Sequence, residues 1–405
     1  MTATGMAGTA PRTSYDVVIV GGAIMGSATA FFLSQNTDFT GSVLVVERDP
    51  SYELCSTAHT NSCMRQQFST ALNIRISQFA AEFVKNLRAH MGGDARVPDL
   101  DIQNYGYMYL ADHEGFADLL RRNQAIQHAA GAETELLTPP EIASRYPFYN
   151  VDDIVLGSIN RRDEGYFDGG TLFDWLRRGA RDRGVDYLAG EVVAMARDGD
   201  RITSVTLASG ETIACGTIVN ASGPRAARTA AMAGIDLPVE PRKHFTWIFT
   251  AERPLDRDLP LTIDPSGVHF RQDGPTTYLA GCPADPDPAV AYDDFAMDPD
   301  RWQDHVWPII AGRIPQFEAI RVVAEWAGHY AFNTLDQNAI LGPHDEIANF
   351  IFQNGFSGHG LQQSPAMGRG IAELITYGEY RTLDLSPFAF DRIPARRPII
   401  ETAVI

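Results

Sequence analysis

The stretch Tyr15-Asp-Val-Val-Ile-Val-Gly-Gly-Ala-Ile-Met-Gly26 decides how this chain begins to fold. Tyr15 to Val20 is a β-branched run bounded by glycine, which reads as a buried parallel strand. Ile24 to Gln35, rich in Ala and Phe, reads as a helix, and Val43 to Glu47 as the next strand, making one βαβ unit. Between strand and helix, the turn Gly21, Gly22, Ala23, Ile24, Met25 and Gly26 aims backbone N–H groups and a helix N-terminus at a dinucleotide pyrophosphate. Gly21 supplies the tight turn and Gly26 the close packing of helix on strand, while Ala23 stands where the fingerprint has its middle glycine. Glu47, 21 residues beyond Gly26, occupies the place of an acid that accepts ribose hydroxyls. The motif by itself does not separate NAD from FAD.

Outward from this unit, Leu72 to His90, Glu141 to Tyr146 and Thr171 to Arg183 read as helices. Val185 to Leu188, Glu191 to Ala196, Val205 to Leu207 and Thr212 to Asn220 read as strands, the last ending in the small residues Ala221, Ser222 and Gly223. Pro238 to Ala284 is mostly strand and predicts a second, antiparallel sheet. Trp302 to Ile314 reads as a helix, Arg321 to Tyr330 and Phe350 to Gln353 as strands, and Gln362 to Tyr377 as the closing helix. The expected class is α/β, α+β overall.

A net charge of -18, spread along the 405 residues, argues against nucleic acid or an anionic membrane as partner. Only two lysines occur, Lys85 and Lys243. Four cysteines without a CxxC pair are not a disulfide scaffold, so a reducing, cytoplasmic setting is expected, with Met1 to Ser14 as a short disordered leader. No apolar run approaches the roughly 20 residues of a membrane span. No metal spacing and no serine, histidine and acid series stands out.

A second glycine-rich turn, Asn354-Gly-Phe-Ser-Gly-His-Gly360, directly precedes the closing helix, where amides and helix dipole could stabilise negative charge. The two turns together, the second read through Leu361, resemble the D-amino-acid oxidase and sarcosine oxidase superfamily of FAD enzymes over nearly the whole chain. Gln66-Gln67-Phe68, Pro238-Val-Glu-Pro-Arg-Lys243 and Trp326-Ala-Gly-His-Tyr-Ala-Phe-Asn-Thr-Leu-Asp-Gln-Asn338 are similar to the branch of FAD oxidoreductases that serves in assembly of respiratory complex I.

The resemblance implies FAD, held by a Rossmann-like domain over 14–95, 150–240 and 320–380. An antiparallel-sheet substrate domain would take 96–149 and 241–319, and 381–405 would be a C-terminal extension. It also implies that Glu47 and Arg48 bind the adenosine side, Ser56 and Thr57 the pyrophosphate, and Val193 the adenine through its backbone. His59, Arg65, Gln66, Ala221, Ser222, Gly223, Gly355, Phe356, Gly358, His359, Gly360, Leu361 and Gln362 would complete the cofactor site. A family cysteine that links covalently to flavin is replaced by Gly328, and His59 matches a flavin-linking histidine of the dehydrogenases in placement. The lysines that serve oxygen and the substrate carboxylate in sarcosine oxidases are missing, Gln362 standing at the second place, which puts oxygen as electron acceptor in doubt and leaves the acceptor open.

For a substrate, the resemblance points to Arg65 as carboxylate partner, with Lys243, His244, Tyr330 and His359 as further catalytic candidates. Asp163 to Asp168 reads most simply as an exposed acidic turn, the alternative being that it faces a cationic substrate. The expected activity is FAD-dependent oxidation of the C–N bond of an amino acid or secondary amine to an imine. The alternatives are a 2-hydroxy-acid dehydrogenase and a non-catalytic FAD-containing assembly or scaffold protein. A small molecule is the expected partner, with assembly as a homo-oligomer left open.

Overall fold

The computed structural model describes residues 8–402. Ser14–Val20 is the centre of the first sheet, pairing in parallel with Val43–Glu47 on one side and Thr212–Asn220 on the other. Asp186–Ala189 and Phe350–Asn354 extend it in parallel at the two flanks, and Ile340–Pro343 closes one edge antiparallel. Helix Ile24–Gln35 is buried from Ile24 to Leu33 without an exposed face, because the sheet covers one side and helix Gly360–Tyr377 another. Within that layer Phe31, Phe32 and Phe83 meet at ring-centroid distances of 5.3 to 6.2 Å.

The second sheet runs in the order Ile320–Asn333, Val239–Ala251, Thr277–Pro283, His269–Gln272, Leu261–Ile263, Tyr107–Ala111, Leu156–Asn160, Glu135–Leu137. It is antiparallel except where Leu261–Ile263 meets Tyr107–Ala111. Trp247, Phe249, Phe270 and Tyr278 form its own core with Trp302 and Phe317. Val239–Ala251 and Ile320–Asn333 pair along almost their full length. One end of this ribbon, at Val239 and Ala331, packs in the core of the first sheet, and the other, at Phe249, in that of the second.

Several expectations change in detail. Leu156–Asn160 and Ile320–Asn333, placed on the cofactor side by the sequence, pair in the second sheet. The expected helix from Leu72 to His90 breaks at Asn86, giving Ala71–Lys85 and a turn at Leu87–His90. Helix Glu114–Ala129 has no counterpart in the expected pattern, because its inward positions are Ala117, Leu120, Asn123 and Gln127, an apolar stripe that is half polar. Of the presumed leader, 1–7 lie outside the described residues, while the Ala10 N–H donates to Glu211 Oε1 at 3.1 Å and Thr13 accepts from Ala214. That part is tied to the sheet.

Candidate active site

An elongated cavity runs between the two sheets, from Glu47 and Arg48 at one end to Arg65, His244 and Gln362 at the other. At the first end, Glu47 accepts the N–H of Gly22 and of Asp49, each at 2.8 Å, while burial pushes its carboxyl above the usual range. A methyl group at Gly26 would lie 1.9 Å from the Gly21 carbonyl oxygen, so only glycine lets the helix start against the strand end. That helix carries no side-chain cap and no acid in its first turn, and its Ile24 N–H reaches Thr57 Oγ1 at 3.3 Å. Its positive end therefore faces the cavity beside Ser56 and Thr57.

Gly21, Ala23, Ile24, Met25, Ala221, Ser222 and Gly223 all line this stretch. Gly22, Gly26 and Gly355 do not, and shape the backbone behind it instead. Val193, expected to contact adenine through its backbone, has a side chain that is 41% exposed and turned from the cavity, while its neighbours Gly190, Glu191 and Val192 line it. Arg225 and Arg228 also line this end and were not foreseen, although the run Ala221 to Arg225 ends a strand at the cofactor side. Burial, then Arg48 and Arg228, hold Arg225 below its ordinary value, and Arg228 pairs with Glu191 at 3.3 Å.

At the other end, Phe356, Gly358, His359, Gly360, Leu361 and Gln362 form the wall as the glycine turn enters its helix. A methyl at Gly358, whose φ is +92°, would sit 2.4 Å from Tyr330 Cε2. The Tyr330 ring in turn stacks on His244 at 3.6 Å and 15°. Burial pushes His244 down to about 3 and Tyr330 up to about 12, so both are uncharged at neutral pH.

Arg65 is 1% exposed yet reaches the cavity. Its Nη1 donates to the Gln67 carbonyl at 2.8 Å and the Tyr109 hydroxyl at 2.6 Å, and its Nη2 to His359 Nε2 at 2.7 Å. Its own N–H donates to Gln362 Oε1 at 2.8 Å, and the guanidinium lies 4.0 Å from the Phe68 ring centroid. His359, whose Nε2 accepts from a cation, is held well below its ordinary value by burial and by Arg65. It orients Arg65 and has no basic nitrogen free at Nε2 for proton transfer.

Three candidates fall elsewhere. Lys243 lies outside the cavity, where its ammonium meets Asp294 at 3.0 Å and the Ala296 carbonyl at 3.1 Å. Gln66 is buried behind Arg65, with its side chain on the Arg162 carbonyl at 2.8 Å. Glu164, from the supposed exposed acidic turn, is 0% exposed. His59 does line the cavity, and its Cβ would lie 2.8 Å from a methyl at Gly328, so a cysteine there would collide with it. Asn61 and His269, neither foreseen, add a polar pair at 2.7 Å, with burial pushing His269 down to about 4.

Residues 16–374 match the model of the family described as DAO, FAD dependent oxidoreductase. The chain belongs to this family. Its cofactor is FAD, and the uncapped helix start, the carboxylate of Glu47 and the three arginines fit the phosphates and ribose of that molecule. FAD-dependent oxidoreductase domain-containing protein 1 from Xenopus laevis is 37% identical, covering 98% of this chain and 86% of its own length. Mitochondrial sarcosine dehydrogenase from Mus musculus is 25% identical over 91% of this chain and 40% of its own length. Among solved structures, L-proline dehydrogenase from P. horikoshii superposes with a TM-score of 0.81 at 26% identity, covering 95% of this chain and 99% of that one. Among the described residues no helix is long and apolar enough to cross a membrane, and no cluster of His, Cys, Asp and Glu could hold a metal ion.

Proposed function

We propose that this FAD-dependent oxidoreductase oxidises the C–N bond of an amino acid or N-substituted amino acid to an imine, with Arg65 holding the substrate carboxylate. One observation carries the reading. Arg65 spends three of its five N–H bonds on protein acceptors and forms no ion pair among the described residues, which leaves two donors, the number a bidentate carboxylate takes. A buried cation without a contacting anion is costly, and a carboxylate in the cavity would relieve that cost.

The walls suit the same chemistry. His244, His269 and His359 are neutral imidazoles, and Arg271 is paired to Asp273 behind the wall, so among the described residues Arg65 is the cation that lines this end and sets the direction in which a zwitterion enters. Bound FAD supplies the two-electron acceptor. The residues hold the carboxylate, and oxidation would proceed from the free amine, its ammonium proton having gone to solvent, with a hydride leaving carbon for the flavin to give the protonated imine. With Lys243 paired to Asp294 outside the cavity, no lysine serves reaction with oxygen, and the reading is of a dehydrogenase.

The test is anaerobic bleaching of the flavin band by a panel of glycine, N-methylglycine, L-proline and D-amino acids, with 2-hydroxy acids alongside. Reduction by a member of the amine set is expected, and Arg65→Leu should raise the concentration needed for half-maximal reduction by about two orders of magnitude, from the loss of a charge-assisted pair. Bleaching by hydroxy acids alone, or by nothing in the panel, overturns the proposal.

A further inference from the structure

Behind Arg65 lies a buried carboxylate that touches no part of the cavity. Glu164 Oε1 accepts the backbone N–H of Gln66 and the Asn160 amide at 3.1 Å, and Oε2 accepts the Gln67 amide at 3.0 Å. Gln67 is pinned twice more, its Nε2 donating to the Tyr107 carbonyl at 2.6 Å and its Oε1 accepting from Ser158 Oγ at 2.7 Å. Its backbone carbonyl then accepts from Arg65 Nη1.

We infer that Glu164 is a positioning residue: its carboxylate fixes the Arg65 to Gln67 segment, and thereby aims the Arg65 guanidinium into the cavity. The inference rests on the reading of Arg65 as a carboxylate site.

Two arguments support it. All three groups facing the carboxylate are amide N–H donors, so a protonated Glu164 would have an O–H with no acceptor, and the ionised form is the one the pocket satisfies. Burial acts the other way and outweighs the donors and Arg65, leaving the carboxyl raised to about 8, so the ionised form is fully present only above that pH, where the binding test is run. Charge compensation supplies the second argument. When ionised, Glu164 adds to the through-space stabilisation that Tyr109, Tyr107 and Glu401 give the Arg65 charge, without itself touching the guanidinium, so the free N–H bonds stay available to a ligand. A direct ion pair would have consumed those donors.

The experiment uses holoprotein and two probes of equal shape, acetate and acetamide, whose binding is read from perturbation of the flavin spectrum. Wild type should bind acetate more tightly than acetamide. Glu164→Gln removes the charge and, with its oxygen kept on the Gln66 and Asn160 donors, sets its NH2 against the Gln67 amide; it should weaken acetate about tenfold or more while leaving acetamide within twofold and the FAD content unchanged. Glu164→Asp should recover part of the acetate affinity. Should Glu164→Gln fail to fold, Ser158→Ala removes one anchor of Gln67 without altering the charge and should weaken acetate about threefold, again without affecting acetamide. Equal acetate affinity in wild type and variants, or parallel weakening of both probes, overturns the positioning role and leaves Arg65 as a carboxylate site. Absence of acetate preference in wild type overturns the Arg65 reading itself, and this inference with it.

Discussion

Replacing Gly26 by alanine asks whether close packing at the first turn sets FAD affinity. The added methyl would lie 1.9 Å from the Gly21 carbonyl oxygen and 3.0 Å from Ile19 Cγ2. Real contacts of this kind stay above roughly 3 Å, so the helix start must move off the strand by about 1 Å. Overpacking of this sort costs about 1–3 kcal/mol, partly offset by the ~1 kcal/mol advantage of alanine over glycine in a helix. Global stability should therefore fall by no more than about 2 kcal/mol. The cofactor should suffer more. A shift of 1 Å takes one or two N–H donors out of reach of a phosphate, and each charge-assisted bond contributes about 1.5–3 kcal/mol, so a loss near 3 kcal/mol, about two orders of magnitude in Kd, is expected. Fluorescence titration of apoprotein with FAD reads this directly. Gly312→Ala is the control, since a methyl there meets nothing within 4 Å. If Gly26→Ala binds FAD within threefold of wild type, the argument from packing is wrong.

Acid denaturation should release all flavin into the supernatant, whereas flavin precipitating with the protein would mark a covalent link, with His59 the side chain to examine. Lys243→Met should cost up to about 1 kcal/mol of stability in urea, because its partner Asp294 is partly exposed, and should leave turnover unchanged; a tenfold fall in turnover would contradict its place outside the cavity. His269 has a folded pKa of about 4, below its unfolded value, so between pH 6.5 and 4 the unfolded chain binds the extra proton. Stability should therefore fall with acidification across that window, by about 1.4 kcal/mol per pH unit from this residue, and His269→Gln should lose that slope in urea titrations at stepped pH.

The parts of the molecule legible in the sequence are those whose causes lie close together along the chain. Ser14–Val20, the turn, helix Ile24–Gln35 and Glu47 carry their own signals within one βαβ unit, and the cavity lies where they point. Arg65 was reachable only through the family pattern, and its partners Tyr109, His359 and Gln362 are brought to it by the fold from two distant segments. Glu164 was misread because an acidic run looks solvated until Gln66, Gln67 and Asn160 close around it, two of them nearly a hundred positions away. Around Val193, expected to meet adenine through its backbone, Gly190, Glu191 and Val192 line the cavity, a placement fixed by the register of Val192–Asp198 against Arg201–Leu207, which carries irregularities.

The ribbon of Val239–Ala251 and Ile320–Asn333 is seated in both cores at once, and it carries His244 and Tyr330 between its two anchors. The two halves of the molecule are thus joined by a continuous ladder held at both ends, so a side chain changed on the ribbon is felt in both cores as well as at the cavity wall.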